Sequence, residues 1–239
     1  LFAGSFVIGY QWGSAMYRDL GFNQSQIDSL LTHMIVAVVA GARLGHCLFY
    51  DPVYYLSNPL KILAIWEGGL ASHGAAIGIP IALYFYAKKH LQKPWLFILD
   101  RLAIMVALAG FFIRFGNFFN SEIYGKETAS SFGVIFKAAG ETVPRHPTQI
   151  YEAFSYLTLF FVMWYLYWKT NIKEKTGFLF GLFMTVLWLM RFLIEFLIEE
   201  QVEGRENGFF NFFNTGQVLS IPLILIGIWL MVRTFKKTV

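Results

Sequence analysis

LAIMVALAGFFIRFGNFFN, residues 102–120, and GFLFGLFMTVLWLMRFLIEFL, residues 177–197, decide the fold. Each is apolar over about the twenty residues that an α-helix needs to cross the hydrocarbon core of a bilayer. Each also carries one arginine, Arg114 in the first and Arg191 in the second. A fixed positive charge at membrane depth costs at least about 2.5 kcal/mol unless something satisfies it, so an intramembrane Arg points to a functional site. Arginine keeps its proton, and its planar fork of donors matches phosphate oxygens. The two residues therefore predict an anionic lipid or another phosphate-bearing ligand inside a helical membrane bundle.

Further segments of the same character lie on either side. The predicted spans run at about 1–17, 27–49, 72–88, 96–119, 149–168, 177–198 and 215–233. They are uniformly apolar rather than alternating, and in lipid such runs satisfy their backbone as helices, not as barrel strands. The expected fold is an all-α integral membrane protein with seven transmembrane helices in a single polytopic domain over residues 1–239. Composition agrees: 56% of residues are hydrophobic and 14% charged, against about 25% charged in a soluble domain. The net charge of +4 does not indicate a nucleic-acid partner, because Lys and Arg collect at the ends of apolar segments and form no stripe. The single cysteine, Cys47, excludes an internal disulfide and a Cys-rich metal site. Its apolar setting reads as a buried small hydrophobe. The chain opens inside an apolar run without an initiator Met, so residues are expected to precede Leu1, and the first helix can serve as its own targeting signal.

Basic residues orient the spans. Arg18, Lys88, Lys89, Lys93, Lys169, Lys173, Lys175, Arg233, Lys236 and Lys237 fall on one side, on short connections. Lys61, Lys126, Lys137, Arg145 and Arg205 fall on the other, on longer ones. Ten against five puts the first set in the cytoplasm, the N-terminus outside and the C-terminus inside. The longer outer pieces are about 50–71, 120–148 and 199–214. The middle one contains KETASSFGVIFKAAGETVP, whose turn signals predict a small extracytoplasmic cap with a hairpin.

The polar residues inside these spans are few and patterned. In IRFGNFFNSEIYG, residues 113–125, Arg114, Asn117 and Asn120 share one helical face, Glu122 follows near the surface, and Gly125 permits a close approach. Such a stripe is either a polar clamp, with Arg114 on a carboxylate, or part of a site. Arg191 and Glu195 stand four apart and can pair along their own helix. Arg43 lies nearer a helix end and is expected to snorkel. EGGLASHGAAIG, residues 67–78, sets His73 among small residues at an outer helix start, either as a structural residue or as a proton acceptor near neutral pH. RHPTQIYEAF, residues 145–154, places Pro147 in a first helical turn and His146, Gln149, Tyr151 and Glu152 at the outer membrane level, for capping or for binding. His46, His73 and His146 lack the spacing of a metal site. There is no phosphate-binding glycine loop and no serine elbow. Metal ligation is not expected.

These motifs together resemble one family. RFGNFFNSEIYG is similar to the Arg-x-x-Asn-Phe-x-Asn-x-Glu-x-x-Gly signature of prolipoprotein diacylglyceryl transferases. EGGLASHGA resembles the family's Gly-Gly-x-x-x-His-Gly element, RHPTQIYEA its His-Pro-[Ser/Thr]-Gln-x-Tyr-Glu element, RFLIEFL its Arg-Phe-x-x-Glu-Phe element, and NTGQVLSIP its Gly-Gln-x-Leu-Ser segment. The likeness spans nearly the whole chain, in order. Ile113 replaces the glycine common before the signature arginine, which changes packing and not charge.

The resemblance implies a multi-pass protein of the bacterial inner membrane. It implies transfer of the diacylglyceryl group of phosphatidylglycerol to the thiol of the lipobox cysteine in a preprolipoprotein, releasing glycerol 1-phosphate without a cofactor. By the same likeness Arg114 and Arg191 hold the phosphate, with Asn117, Asn120, Gly125, His146 and Tyr151 lining the substrate. His73, Glu122 and Glu195 are the candidates for taking the thiol proton. The partners are then phosphatidylglycerol, the lipobox peptide and the bilayer. A carrier for an organic anion or lipid, built on the same arginine pair, is the alternative. It calls for an inverted repeat and broken helices, and neither is evident. A purely structural subunit is a third reading.

Overall fold

A computed structural model describes residues 2–69, 71–91, 93–198 and 215–236, leaving aside the side chains of residues 2, 3, 5, 6, 72, 73 and 215. The described residues form eight α-helices: α1 (Phe2–Asp19), α2 (Gln24–Phe49), α3 (Pro52–Ser57), α4 (Ser72–His90), α5 (Trp95–Phe119), α6 (Thr148–Lys169), α7 (Phe178–Ile194) and α8 (Thr215–Lys236). Short 3-10 turns lie between several of them, and no strand occurs among the described residues. Every predicted apolar segment is helical, and α3 is the addition. By length and composition, four of these helical segments suit a bilayer crossing: Gln24–Phe49, Trp95–Phe119, Phe178–Leu197 and Gly216–Lys236.

The chain divides into two compact units, Ser14–Leu99 and a second made of Leu1–Gly13 with Asp100–Val239. In the first, α1 ends in a Schellman motif. Gly21, at φ 82°, takes the left-handed position, and the Phe22 and Gly21 amides bond the Tyr17 and Arg18 carbonyls at 3.0 and 2.9 Å. Asn23 then opens α2 with a capping box, exchanging bonds with Gln26 at 2.9 and 3.0 Å.

Helices α2 and α4 pack through small residues at four-residue spacing. These are Ala37, Gly41 and Gly45 on one and Gly74 and Gly78 on the other. A Cβ on Gly45 would stand 2.6 Å from the Gly74 Cα, and one on Gly78 2.6 Å from the Ala37 carbonyl. The backbones thus touch, as helices in lipid do where small residues face each other. Cys47 is buried in this unit, as its setting predicted. Arg43 departs from expectation. It does not reach for water but is 3% exposed. Its Nε donates to the Ile62 carbonyl at 3.0 Å, Nη1 to Gly68 and Gly69 at 2.6 and 3.3 Å, and Nη2 to Lys61 at 2.6 Å. A loop whose carbonyls can accept lies within its reach, and binding them satisfies the guanidinium without water.

In the second unit the same device recurs where α7 crosses α8. A Cβ on Gly181 would lie 2.7 Å from the Gly227 carbonyl. The α7 start has no side-chain cap of its own, since Gly177 holds that position at φ 98°. Asp100, 1% exposed near the start of α5, supplies one: its carboxylate accepts from the Gly177 amide at 2.6 Å and the Phe180 amide at 2.8 Å. Its neighbour Arg101, equally buried, donates to the Lys173 carbonyl at 2.6 Å and lies 5.5 Å from the centre of the Tyr167 ring on α6. Replacing Asp100 by Ala strips two amides of their partner and is expected to cost about 2 kcal/mol. A lowered unfolding midpoint of the detergent-solubilised protein checks this.

Candidate functional site

Fourteen residues beyond Asp100, α5 presents Arg114; fourteen beyond Gly177, α7 presents Arg191. Equal helical rise, about 21 Å in each, carries both to the same level, where they meet one carboxylate. Glu152 of α6 takes Arg114 Nε on Oε2 and Arg191 Nη1 on Oε1 at 3.2 Å. Arg191 Nη2 also binds Glu195 Oε2 at 2.6 Å, the pairing that the i,i+4 spacing predicted. One turn below, the Tyr156 ring lies on Gly110, where a Cβ would stand 2.7 Å from its Cδ2. The missing side chain lets α6 close on α5, and that brings Glu152 to Arg114. Opposite, Gly216 leaves room for Glu195: a Cβ there would lie 2.6 Å from Oε1.

Two cations and two carboxylates leave this cluster neutral. The exposures are unequal: 3% for Glu152 but 21% and 27% for the Arg114 and Arg191 side chains. Glu152 is covered and Glu195 is 12% exposed, while both arginine side chains keep more of their surface open than either carboxylate does. An Arg fork can hold phosphate oxygens as it holds a carboxylate, two at a time.

The signature loop is the second part. Asn117 and Asn120 do share a face, and both turn toward Glu122, with Nδ2 donors 2.8 and 3.5 Å from its carboxylate oxygens. On either side of Glu122, Ser121 and Ile123 adopt φ 56°. For a β-branched Ile this left-handed backbone costs about 1–3 kcal/mol. The next motif holds it in place: Gln149 Nε2 donates to the Glu122 carbonyl at 2.6 Å and Thr148 Oγ1 to the Ile123 carbonyl at 3.0 Å. Asn117 Oδ1 and Gln149 Oε1 are buried acceptors without a partner among the described residues. Gly125 is required by crowding, since a Cβ would collide with the Leu197 carbonyl and sit 2.7 Å from Thr148 Cγ2. Its amide bonds the His146 carbonyl at 2.8 Å. His146 Nδ1 and the Tyr151 hydroxyl are 3.3 Å apart.

Residues 120–148 fold back on themselves without the predicted hairpin. Only isolated bridges form, both on Arg145, to Glu127 and to Val134. Pro144 has no N–H to extend the ladder, and a 3-10 turn at Lys137–Ala139 ends in left-handed Gly140. Glu141 ties the loop down, accepting from the Tyr124 hydroxyl at 2.7 Å and pairing with Arg145 Nε at 2.6 Å. That hydroxyl first, and then the guanidinium, hold the Glu141 carboxyl below the usual carboxylate range. Its contribution is full above the ordinary carboxylate pKa and is lost as pH falls through the lowered value.

His73 stands in the first turn of α4, in the Ser14–Leu99 unit, and its side chain lies outside the described residues.

Known proteins are similar to this chain over nearly its whole length. The profile described as prolipoprotein diacylglyceryl transferase matches residues 1–233. The chain belongs to the prolipoprotein diacylglyceryl transferase family. A phosphatidylglycerol–prolipoprotein diacylglyceryl transferase of Tolumonas auensis is 47% identical over 237 residues, 99% of this chain and 90% of the relative. Those of Porphyromonas gingivalis and Chloroherpeton thalassium are 41% and 39% identical, covering 100% and 99% of this chain and 88% and 87% of the relatives.

Within this diacylglyceryl transferase fold, sequence reasoning misses what joins the arginines. It sets Glu152 among the polar groups opening a helix and gives it no partner. The available signal is charge balance. Glu152 is the only acid in α6, and two fixed cations in neighbouring apolar helices need such a counter-charge. Glu152→Gln is expected to lower activity about tenfold to a hundredfold, because the guanidinium groups lose the anchor that sets their spacing. Steady-state transfer assays on the purified variant check this.

Proposed function

We propose that the chain transfers the diacylglyceryl group of phosphatidylglycerol to the lipobox cysteine of a preprolipoprotein. The observation that carries this reading is the meeting of Arg114 and Arg191 on Glu152, in a chain whose relatives bear that activity in their names. Each fork keeps its contact with Glu152 and offers its remaining donors to the lipid phosphate. A thiolate attacks the glyceryl carbon bonded to the phosphate oxygen, the S–C bond forms, the C–O bond breaks, and its electron pair leaves with glycerol 1-phosphate. Negative charge on the leaving oxygen grows along this path. Fixed cations aimed at it bind the transition state more tightly than the ground state, which is what acceleration requires.

The thiol, with a reference pKa of about 8.5, gives its proton to one of Glu122, Glu195 or His73. The open acceptors Asn117 Oδ1 and Gln149 Oε1 are available to the hydroxyls of the headgroup glycerol. Cys47 takes no part, since the reacting sulfur is the substrate's. In this reading all seven long apolar helices cross the inner membrane. The N-terminus lies outside, the C-terminus in the cytoplasm, and residues 120–148 form an extracytoplasmic cap. Purified protein incubated with phosphatidylglycerol and a lipobox peptide tests it. Mass spectrometry is expected to find the peptide heavier by one diacylglyceryl group and equimolar glycerol phosphate released. An unmodified peptide in the presence of folded protein sinks the proposal.

A further inference from the structure

Residues 50–66 are more apolar than any connection facing water should be. They form α3 and two 3-10 turns, Pro59–Leu63 and Ile65–Glu67, and none of these elements contains a buried residue. Leu60 is 82% exposed, Trp66 79%, Val53 76%, and Leu56 and Leu63 69% each. So many large apolar side chains exposed within residues 53–66 are rare on a soluble face and mark an interaction site. Three observations say what covers it. The surface continues the exposed side of α2, whose last turns show Leu44, Leu48 and Phe49, and α2 is itself long and apolar enough to cross a bilayer. The two charges within 50–66 are already committed: Asp51 accepts from the Tyr54 amide at 3.3 Å, and Lys61 pairs with Glu67 at 2.6 Å.

The third observation is Arg43. A turn in water needs no buried guanidinium to bond its carbonyls, since water does that. In lipid, irregular backbone must find its partners within the protein. Arg43 supplies them from beneath, binding the carbonyls of Lys61, Ile62, Gly68 and Gly69.

We propose that residues 50–66 form an interfacial anchor, sunk into the headgroup–acyl boundary where α2 ends, with a backbone made compatible with lipid by Arg43. Its partner is the bilayer itself. Tyr54 and Trp66 stand at the depth where amphipathic rings gather, and with so little net charge the anchoring is indifferent to salt.

The lone cysteine makes the test direct. In a Cys47→Ala background, Leu60→Cys carries a nitroxide in nanodiscs of phosphatidylcholine and phosphatidylglycerol, with Lys137→Cys as the water-exposed reference. The Leu60 label is expected to meet oxygen severalfold more often than a nickel chelate, and the Lys137 label the reverse. Arg43→Ala is expected to shift the Leu60 label at least twofold toward the chelate. Chelate access at Leu60 equal to that at Lys137 overturns the anchor. So does protection that arises only when lipobox peptide is added, which would make a peptide the occupant. An unchanged label in Arg43→Ala overturns the role given to Arg43. In the unsubstituted protein, lipids brominated near the carbonyl are expected to quench a share of the emission that disappears in Trp66→Phe; equal quenching in both also overturns the proposal.

Discussion

Arg114→Ala and Arg191→Ala are each expected to lower diacylglyceryl transfer about a thousandfold or more, which corresponds to about 4 kcal/mol of transition-state stabilisation. The protein is expected to insert and fold in both cases, because Glu152 keeps one guanidinium partner when the other is removed. The loss should fall on kcat more than on KM, since the phosphate's charge grows only as the C–O bond breaks. Arg114→Lys should recover little of it. An ammonium carries the charge but cannot hold Glu152 through one donor and a phosphate through the others. Single-turnover assays on proteins of matched thermal stability read these effects. Near-normal turnover in either alanine variant would remove the arginine pair from the mechanism.

Gly74→Val is expected to prevent accumulation of folded protein. A Cβ at this position collides with the Gly41 carbonyl and stands 2.8 Å from the Gly45 Cα, both of them backbone. No rotamer relieves such a contact, so α2 and α4 must separate, and the loss of close packing along the seam costs about 3 kcal/mol or more. Gly4→Ala, which meets nothing within 4 Å, serves as the matched control. Membrane-fraction yield and the size-exclusion profile of the two variants measure the difference. A monodisperse Gly74→Val protein at normal yield would show the seam to be dispensable.

What the sequence discloses and what it conceals divide along range. The helices are legible because each is one apolar run, and Arg191–Glu195 because four residues make one helical turn. The stripe of Asn117 and Asn120 is legible for the same reason. Glu152 is concealed because its partners lie on other helices, and no periodicity within α6 points to them. Asp100 is concealed more deeply, since it caps amides 77 and 80 residues away. Arg43 is misjudged because nearness to a helix end suggests water, whereas the carbonyls that hold it come from a loop 18 to 26 residues downstream. The hairpin fails at Pro144, whose missing N–H is plain in the sequence once the neighbouring pair is known.

The matched fourteen-residue intervals on α5 and α7 bear on how this protein can change over evolutionary time. Inserting or deleting a single residue between Asp100 and Arg114 would turn the arginine about 100° around its axis and slide it about 1.5 Å, while the cap on α7 stayed where it is. No compensating indel in α7 repairs that, because a second rotation faces the other fork away as well. Point mutations away from crowded positions such as Gly110 and Gly181 leave the spacing intact, but the lengths of the two stretches are frozen. Counting the residues between the corresponding acid and arginine in distant relatives should return the same number wherever the paired forks survive.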